Sequence, residues 1–343
     1  MHALHGQRQA PPPVLCTLCG ATATLAYRGH PGYQLPTRFD IYHCASCDTK
    51  FVEPLESSPT VYDLIYRHIE DVRGYARYAR YARTVSRREN PLAYLADEED
   101  TYWAIEQYLS RYMKATMPRL LEVGSGLGYL TYAVSRRGYD IRGLDISPIA
   151  VASARARFGD LYDCGNLLSV AASMEGSYDA VVMTELIEHL PNLVELLVAA
   201  LRLVKPTGDL VLTTPNKSAS PAHVLWDTDA PPVHLWWLSE KSIATLAARL
   251  GVSLRLIDFT EFNRTHEFEV RSGPQMAKPT VPAAFDEQGR LLANPHRFKA
   301  PLRRAFFALR LDKLRRAIER RRAATRAPLP RRPTLCAILT KDT

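Results

Sequence analysis

Four of the six cysteines in this 343-residue chain are spaced as metal ligands. Cys16 and Cys19 form one Cys-x-x-Cys pair, and Cys44 and Cys47 form a second. Each pair places two thiolates on one turn, and two such turns close a tetrahedral zinc site that leaves no position for a substrate. The pattern therefore predicts a structural zinc ion in a small ribbon, with His43 as a bystander. Two disulfides are the alternative, which the absence of an export signal does not favour.

The other two cysteines, Cys164 and Cys336, stand alone in apolar segments. Neither has another cysteine or a histidine at a spacing typical of a metal site. Because a free cysteine commonly behaves as a small apolar residue, we expect both side chains to be buried.

A second group of residues combines glycines with acids. The loop after one predicted strand reads Glu122-Val-Gly124-Ser125-Gly126-Leu-Gly128 and opens directly into a predicted helix. Glycines let the backbone approach a ligand closely, and the amides of a helix N terminus point toward it. Asp145 ends the next predicted strand, where a carboxylate can accept both ribose hydroxyls. This order of strand, loop, helix, strand and acid predicts a nucleoside site.

Acids and histidines follow another predicted strand, Tyr178–Thr184. The chain there reads Thr184-Glu185-Leu-Ile-Glu188-His189, and His234 precedes a later predicted helix. This segment must lie at the carboxyl edge of a parallel sheet, where ligands bind. In one interpretation, His189 is a general base that takes a proton from a substrate hydroxyl.

A metal site is the second interpretation of the same segment. The ion, Mg²⁺ or a similar cation, would lower the pKa of a bound hydroxyl. Its ligands would be Glu185, Glu188, His189 and His234. In a third interpretation, Glu188 and His189 only shape the loop and cap the next helix. The letters of a short motif do not distinguish these roles.

From residue 119 onward, apolar segments with strand and helix patterns alternate, which is typical of a mainly parallel sheet. The predicted strands are Arg119–Val123, Asp140–Asp145, Asp160–Cys164, Tyr178–Thr184, Asp209–Thr213, Val252–Phe259 and Thr334–Thr340. The predicted helices are Tyr129–Arg137, Ile149–Arg157, Leu193–Val204 and Glu240–Leu250. A loop is expected after Cys164.

The chain as a whole divides by composition and pattern. Residues 1–13 are predicted to be disordered, and residues 14–57 form the ribbon, with strands near Ala23–Tyr27 and Phe39–His43. Residues 58–116 form a helical lid or linker that ends in the helix Thr101–Met113. Residues 117–343 form the α/β domain, with a basic helical insertion at about 262–333.

The helical region contains a repeat, Tyr75-Ala-Arg77-Tyr78-Ala-Arg80-Tyr81-Ala-Arg83. Its tyrosines form one helical stripe, which either packs on the domain or covers a bound ligand.

The formal net charge of +8 is unevenly distributed. Residues 296–332 hold 14 Lys/Arg and two acids, whereas the rest of the chain holds 30 basic and 34 acidic residues. Pro301–Arg322 can form an amphipathic helix, which we expect to dock on the domain. RNA phosphates, an anionic membrane and a phosphate-bearing substrate are its alternative partners.

No run of about 18 apolar residues predicts a membrane span, and the N terminus lacks a signal-like apolar region, so a cytoplasmic location is expected.

The acid followed by Gly-x-Gly-x-Gly resembles motif I of the class I S-adenosylmethionine (SAM) dependent methyltransferases. That resemblance implies a Rossmann-like, seven-stranded, mainly parallel sheet with helices on both faces. It also implies that Glu122 positions the ammonium of SAM and that Asn166 meets the adenine amine. The cofactor-binding residues that it implies are Glu122, Gly124, Ser125, Gly126, Gly128, Asp145, Ile146, Asn166, Leu167 and Thr184.

The segment from Glu185 to His189 resembles the ubiquinone-pathway O-methyltransferases and also the small-RNA 2′-O-methyltransferases, in which two Glu and two His hold a divalent cation. Chains that join a zinc ribbon to such a domain resemble enzymes that modify sugars, polysaccharide precursors or secondary metabolites. The resemblance therefore predicts SAM-dependent O-methylation of a small molecule. The alternatives are an RNA 2′-O-methyltransferase with a Glu/His-bound cation and a non-catalytic SAM-binding scaffold whose ribbon recruits a partner. A nucleic-acid partner is not expected, because no aromatic RNA-binding signature is present.

Overall fold

The N-terminal cysteine region forms an antiparallel sheet in the computed structural model, which describes residues 13–72, 74–219, 230–266, 283–292 and 332–341. Its strands are β1 (Thr24–Pro31), β2 (Arg38–Cys44) and β3 (Thr49–Glu53). A fourth strand, Trp236–Trp237, comes from far along the chain and pairs with β3. We call these four strands the cysteine sheet.

Helices follow the cysteine sheet, as the sequence predicts for residues 58–116. They are α1 (Pro59–Arg67), α2 (Ala76–Thr84), α3 (Pro91–Glu98) and α4 (Asp100–Gln107), and a π-helical turn, Tyr108–Tyr112, extends the last of them. Ser58 and Asn90 begin α1 and α3, because each side chain accepts a hydrogen bond from a first-turn backbone N–H. A proline follows each cap, where its missing N–H costs nothing.

The Tyr-Ala-Arg repeat lies at and within α2, and its contacts agree with the packing interpretation. Tyr81 is buried, and its hydroxyl donates to Glu99 Oε1 at 2.7 Å. Arg80 Nη2 lies 3.0 Å from Glu98 Oε2, and Arg77 Nε lies 3.1 Å from Glu99 Oε1. The arginines therefore pair with acids at the junction of α3 and α4 and fix α2 on the domain.

Strands and helices alternate from residue 119. The strands are β4 (Arg119–Val123), β5 (Asp140–Asp145), β6 (Tyr162–Cys164), β7 (Tyr178–Thr184), β8 (Val204–Pro215), β9 (Trp236–Trp237), β10 (Val252–Leu256) and β11 (Thr334–Lys341). The helices are α5 (Tyr129–Arg136), α6 (Pro148–Phe158), α7 (Leu167–Ser173), α8 (Leu193–Leu203), α9 (Glu240–Leu250) and α10 (Thr260–Asn263).

Seven of these strands form one sheet in the order β10-β11-β8-β7-β4-β5-β6. β4, β5, β6, β7 and β8 pair in parallel, whereas β11 is antiparallel to both of its neighbours. The predicted Rossmann-like, mainly parallel sheet of seven strands is confirmed. The loop expected after Cys164 is instead helix α7, which Asn166 caps by accepting a hydrogen bond from Leu168 N. With only seven residues, this helix is too short to give a clear helical period.

The cysteine sheet and the large sheet share one hydrophobic core. A continuous buried cluster includes residues of both, among them Cys44, Phe51, Val52, Leu212, Leu235, Trp236 and Ile243. Each large apolar side chain that is fully buried contributes about 1.5–3 kcal/mol relative to an exposed one. The cysteine sheet is therefore held by packing on the α/β domain in addition to any metal.

Polar bonds link the cysteine sheet to α9. Thr49 Oγ1 donates to Ser242 Oγ at 2.8 Å, and Ser242 Oγ donates to Cys47 O at 3.1 Å. At the other end of α9, Arg249 Nη1 donates to Thr17 O at 2.6 Å and to Leu18 O at 2.8 Å. Both cysteine turns thus rest against the same helix.

The four predicted zinc ligands come together. Sγ atoms of Cys16 and Cys47 lie 3.7 Å apart, those of Cys19 and Cys44 lie 3.4 Å apart, and all four lie within 4.8 Å of one another. A tetrahedral zinc ion with Zn–S bonds of about 2.3 Å requires sulfurs about 3.8 Å apart. The four side chains are free thiols at almost this spacing, so they fit a zinc ion and can hold one.

The two remaining cysteines differ from each other. Cys336 is buried at 1% exposure on β11, as predicted. The expectation of a buried Cys164 is wrong, because this residue ends the edge strand β6 and its side chain is exposed. An edge strand has a neighbour on one side only, so an apolar segment there does not ensure burial.

Several predictions concern residues outside the described part of the chain, namely the disorder predicted for residues 1–13, of which only residue 13 is described, the helix Pro301–Arg322 and most of the insertion at about 262–333. A short part of that insertion, 283–292, packs by Phe285 against Tyr33 and α1. Arg332 pairs with Asp100 at 3.0 Å just before β11. Among the described helices, none is long and apolar enough to cross a membrane.

The cysteine cluster predicts zinc in the purified protein. Metal analysis should find about one zinc ion per chain, and Cys47→Ser should lose it, since three thiolates bind zinc less tightly than four. Thermal denaturation should occur several degrees lower in this variant, because binding energy at a structural site is folding energy. Cys164→Ser, which changes an exposed cysteine outside the cluster, is the matched control. Equal zinc content in the two variants would contradict the assignment.

Candidate active site

The glycine loop joins β4 to α5 at the carboxyl edge of the large sheet. Gly128 has a φ of 79°, and a Cβ atom there would lie 2.7 Å from the Tyr162 ring, so only glycine fits. Gly126 has a φ of 50°, which favours glycine, and a Cβ atom there would be in van der Waals contact with Tyr66 Oη at 3.5 Å. The phenol of Tyr66 therefore lies directly beside the glycine loop.

Asp145 joins this loop to the end of β5. Its Oδ2 accepts a hydrogen bond from Gly126 N at 2.7 Å, and its Oδ1 accepts one from Ser147 N at 2.8 Å. Burial raises the pKa of this carboxyl, although the two backbone donors oppose the shift. Each oxygen can accept further bonds, so the carboxylate can bind two neighbouring hydroxyls of a nucleoside.

Glu122 and Ser125 place polar atoms beside the same loop. Glu122 is 3% exposed and accepts a hydrogen bond from Thr131 Oγ1. Burial raises the pKa of Glu122 to about 8, a cost that a nearby ammonium group would relieve. The buried hydroxyl of Ser125 makes no hydrogen bond within the described part of the chain. Both groups are suited to contact a polar, cationic ligand tail.

The other residues that the resemblance implies line the carboxyl edge in different ways. Ile146 is 71% exposed and offers an apolar surface next to Asp145. Asn166 is exposed at the end of β6, but its Oδ1 caps α7, so the amide that was expected to meet adenine also has a local structural role. Leu167 is buried, and Thr184 is half-buried at the end of β7.

Glu188, His189 and His234 meet after β7. Their ligand atoms lie within 4.8 Å of one another, and Glu188 Oε1 is 3.6 Å from His189 Nε2. His189 Nδ1 lies 2.6 Å from Val233 O, so Nδ1 donates to that carbonyl and Nε2 is the unprotonated nitrogen. The two imidazole rings are nearly perpendicular, with centroids 4.6 Å apart.

Both imidazoles are neutral at physiological pH. Burial lowers the pKa of His189 to about 4 and holds the pKa of His234 well below its usual value. A neutral imidazole nitrogen can accept a proton or bind a divalent cation. The geometry is therefore compatible with both the base and the metal interpretation.

Glu185 lies outside this group, so the four side chains of the predicted metal site do not meet at one point. Its backbone has a φ of 47°, and its carboxylate accepts a hydrogen bond from Thr101 Oγ1 at 3.1 Å on α4. Burial raises the pKa of Glu185 to about 7. The backbone turn directs this carboxylate toward the helical region, whereas Glu188 points toward the histidines.

Helix α1 lies over the site, and we call it the roof. The sequence patterns did not identify this arrangement in detail. Tyr62 Oη donates to Val233 O at 3.3 Å, and its ring lies 6.1 Å from that of His189. Tyr66, one helical turn later, reaches the Gly126 position. In the sequence, the signal for this arrangement was a pair of tyrosines four residues apart on an amphipathic helix, which places both side chains on one face.

A small buried cluster holds this roof in place. It consists of Tyr33, Val61, Ile65, Val72, Ala230, Val233 and Phe285. The backbone of Ala284 and Phe285 donates to Tyr33 O at 2.8 and 3.0 Å. Four separate parts of the chain thus pack together at α1.

Curated proteins with similar sequences include two ubiquinone biosynthesis O-methyltransferases. The one from Xanthomonas oryzae pv. oryzae is 33% identical over 116 residues, which are 32% of this chain and 48% of the relative. The one from Dechloromonas aromatica is 36% identical over 105 residues, which are 29% of this chain and 45% of the relative. The chain spans about half the length of the curated relatives it matches. A solved SAM-dependent methyltransferase from Archaeoglobus fulgidus is 15% identical, with a TM-score of 0.43, over 71% of this chain and 95% of that one.

A family model described as a methyltransferase domain matches residues 77–256, more than half of the chain. The matched segment carries the glycine loop, Asp145, His234 and the 3₁₀ turn Ile187–His189, which we call the histidine turn. The chain therefore belongs to the methyltransferase domain family.

Proposed function

We propose that this protein transfers the methyl group of SAM to a hydroxyl oxygen of a small molecule. The observation that carries the proposal is the shared location of the glycine loop with Asp145 and of the Nδ1-anchored His189, at one edge of the sheet under one helical roof. The matched methyltransferase domain and the relatives named O-methyltransferases support the same reaction class.

The cofactor half of the site is assigned to residues around β4 and β5. Bound SAM supplies an activated methyl group on a sulfonium. The Asp145 carboxylate accepts the ribose hydroxyls, Glu122 and Ser125 contact the charged tail, and Ile146 covers the adenine face. Gly126 N donates to Asp145 Oδ2 and so holds that carboxylate beside the glycine loop. These residues hold and orient the ligand, and alignment supplies much of the rate in such transfers.

The acceptor half of the site is assigned to the space between His189 and α1. His189 Nε2 takes the hydroxyl proton, since Nδ1 is held by Val233 O. Tyr62 and Tyr66 are half-buried on α1, with Tyr62 near the His189 ring and Tyr66 near Gly126. An acceptor bound between these phenols and His189 would be enclosed by α1, which fits a small molecule that bears a hydroxyl group better than it fits a polymer.

A metal-assisted form of the same reaction is favoured by one observation, the convergence of Glu188, His189 and His234. A divalent cation held there would bind the acceptor hydroxyl and lower its pKa. His189 would then be a ligand, and a base elsewhere or solvent would take the proton.

Asp145→Ala should weaken the affinity for SAM at least 100-fold. The variant loses two charge-assisted hydrogen bonds to ribose, at about 1.5–3 kcal/mol each, together with the bonds that shape the glycine loop. Isothermal titration calorimetry measures the change. Asp163→Ala removes a carboxylate from the neighbouring strand β6, where it pairs with Arg142, and is the control. Unchanged affinity in Asp145→Ala would refute the placement of the ribose.

His189→Ala should lower kcat by about 10²–10⁴-fold if His189 is the base, with little change in the affinity for SAM. Steady-state kinetics and calorimetry on the same variant separate the two effects. His266→Ala, in which the imidazole stacks on Phe262 outside the site, is the matched control. Full turnover in His189→Ala would exclude the base role.

Methyl transfer from labelled SAM should be detected with phenols or sugar nucleotides and not with RNA oligonucleotides. Mass spectrometry and NMR of the product should identify a methyl ether. The base form predicts that activity persists in EDTA, provided that metal analysis shows the cysteine cluster still holds its zinc. Loss of activity in EDTA and recovery with Mg²⁺ would instead support the metal-assisted form. Transfer to RNA alone would contradict the small-molecule proposal.

A further inference from the structure

Leu235 lies between the cysteine sheet and the turn that carries His189. Val52 N on β3 donates to Leu235 O at 3.0 Å, and Leu235 N donates to Glu188 O at 2.8 Å. Strand pairing continues on β9, where Phe51 lies opposite Trp236 and Lys50 opposite Trp237. One residue is thus hydrogen-bonded to the cysteine sheet on one side and to the 3₁₀ turn Ile187–His189 on the other.

Trp236 adds a side-chain link at the same place. It is 2% exposed, and its ring centroid lies 5.8 Å from that of Phe51. Its indole Nε1 donates to Leu190 O at 2.8 Å, one residue after His189. The indole therefore connects β3 to the C-terminal end of the histidine turn.

The imidazole itself is oriented by the residue before His234. Val233 O accepts from His189 Nδ1, so any displacement of residues 233–236 moves the atom that fixes the tautomer and the ring plane. A shift of about 1 Å at a reacting group can cost as much as 100-fold in rate. The position of this segment is consequently decisive for the acceptor half of the site.

The cysteine turns fix the strand that supports this segment. Cys44 ends β2, Cys47 lies two residues before β3, and Thr49 Oγ1 lies 3.2 Å from Cys47 Sγ. Since a zinc ion on these thiolates would hold both turns together, it would also fix the start of β3. The cofactor half depends on contacts of a different kind, which run between β4, β5 and the glycine loop.

We infer that the cysteine sheet is a positioning element for His189, acting through Leu235 and Trp236 on the acceptor half of the site and not on the cofactor half. The assignment of an acceptor half rests on the proposed function. The physical coupling does not, because it concerns backbone and imidazole hydrogen bonds that exist without any substrate.

Two neighbouring tryptophans provide a matched test. Trp236→Phe removes the bond to Leu190 O, whereas Trp237→Phe removes an indole N–H that is buried and has no hydrogen-bond partner among the described residues. Both variants retain the four cysteines and lose a similar volume from the same core. They therefore share the cost of repacking and differ in the link to the histidine turn.

Amide hydrogen exchange and ¹⁵N-edited NMR of the histidine rings are the readouts. In Trp236→Phe, the Leu235 amide should exchange at least tenfold faster than in Trp237→Phe, because opening of the turn exposes it. The slowly exchanging Nδ1 proton of His189 should be visible in Trp237→Phe and lost in Trp236→Phe. Calorimetry should find SAM affinities within twofold of each other. Equal exchange and equal imidazole signals in the two variants would overturn the inference.

Removal of zinc from the intact protein by a chelator tests the metal end of the same path. Exchange at Val52 and Leu235 should rise at least tenfold and recover when zinc is returned, while amides of β4 and β5 remain protected. Equal loss of protection in β4 and β5 would overturn the inference, since the sheet would then be a general scaffold. Unchanged exchange at Val52 and Leu235 in the zinc-free protein would overturn it as well. Neither readout requires an acceptor, so a failure of the proposed methyl transfer would be seen separately.

Discussion

Parallel pairing of β4, β5, β7 and β8 directs the loops that follow these strands to one edge of the large sheet. The carboxyl ends of parallel strands lie at the same edge of a sheet. Residues that follow these strands therefore become neighbours there, even when they are far apart in sequence. The glycine loop, Asp145 and the turn with His189 all depend on this arrangement. The strands of the large sheet therefore position the glycine loop, Asp145 and His189, whereas α1 and the segment before β9 carry Tyr62, Tyr66 and His234.

Burial of these polar groups determines their protonation. Desolvation disfavours charge, so it raises the pKa of Glu122 and Asp145 and lowers the pKa of His189 and His234. Burial therefore favours the neutral form of both the carboxyls and the imidazoles. The same burial therefore shifts the pKa values at the glycine loop and at the two histidines.

The cysteine sheet is integrated into the enzyme domain. Its fourth strand is β9, its residues share the core of the large sheet, and α9 contacts both cysteine turns. An appended module would be joined by a linker and few contacts. Here, the segment that supplies the fourth strand also supplies Val233 and His234. The cysteine cluster, the packing of the core and the orientation of His189 are consequently parts of one structure.

The sequence by itself determined the features that depend on short-range pattern. Glycines at positive φ, an acid after the next strand and paired cysteines each have a local physical cause, and the alternation of apolar segments predicted the large sheet. Residues 119 to 145 illustrate this, because both predicted strands have the observed bounds.

Only the tertiary structure decided which distant groups meet. β9 has two residues, too few for any periodic signal, and it exists because β3 and the core accept it. The roof of Tyr62 and Tyr66 arises from packing among four separate segments, and a backbone turn at Glu185 separates this acid from Glu188. The exposure of Cys164 follows from the edge position of β6. Such contacts are selected by burial of the whole core, which no local pattern of residues encodes.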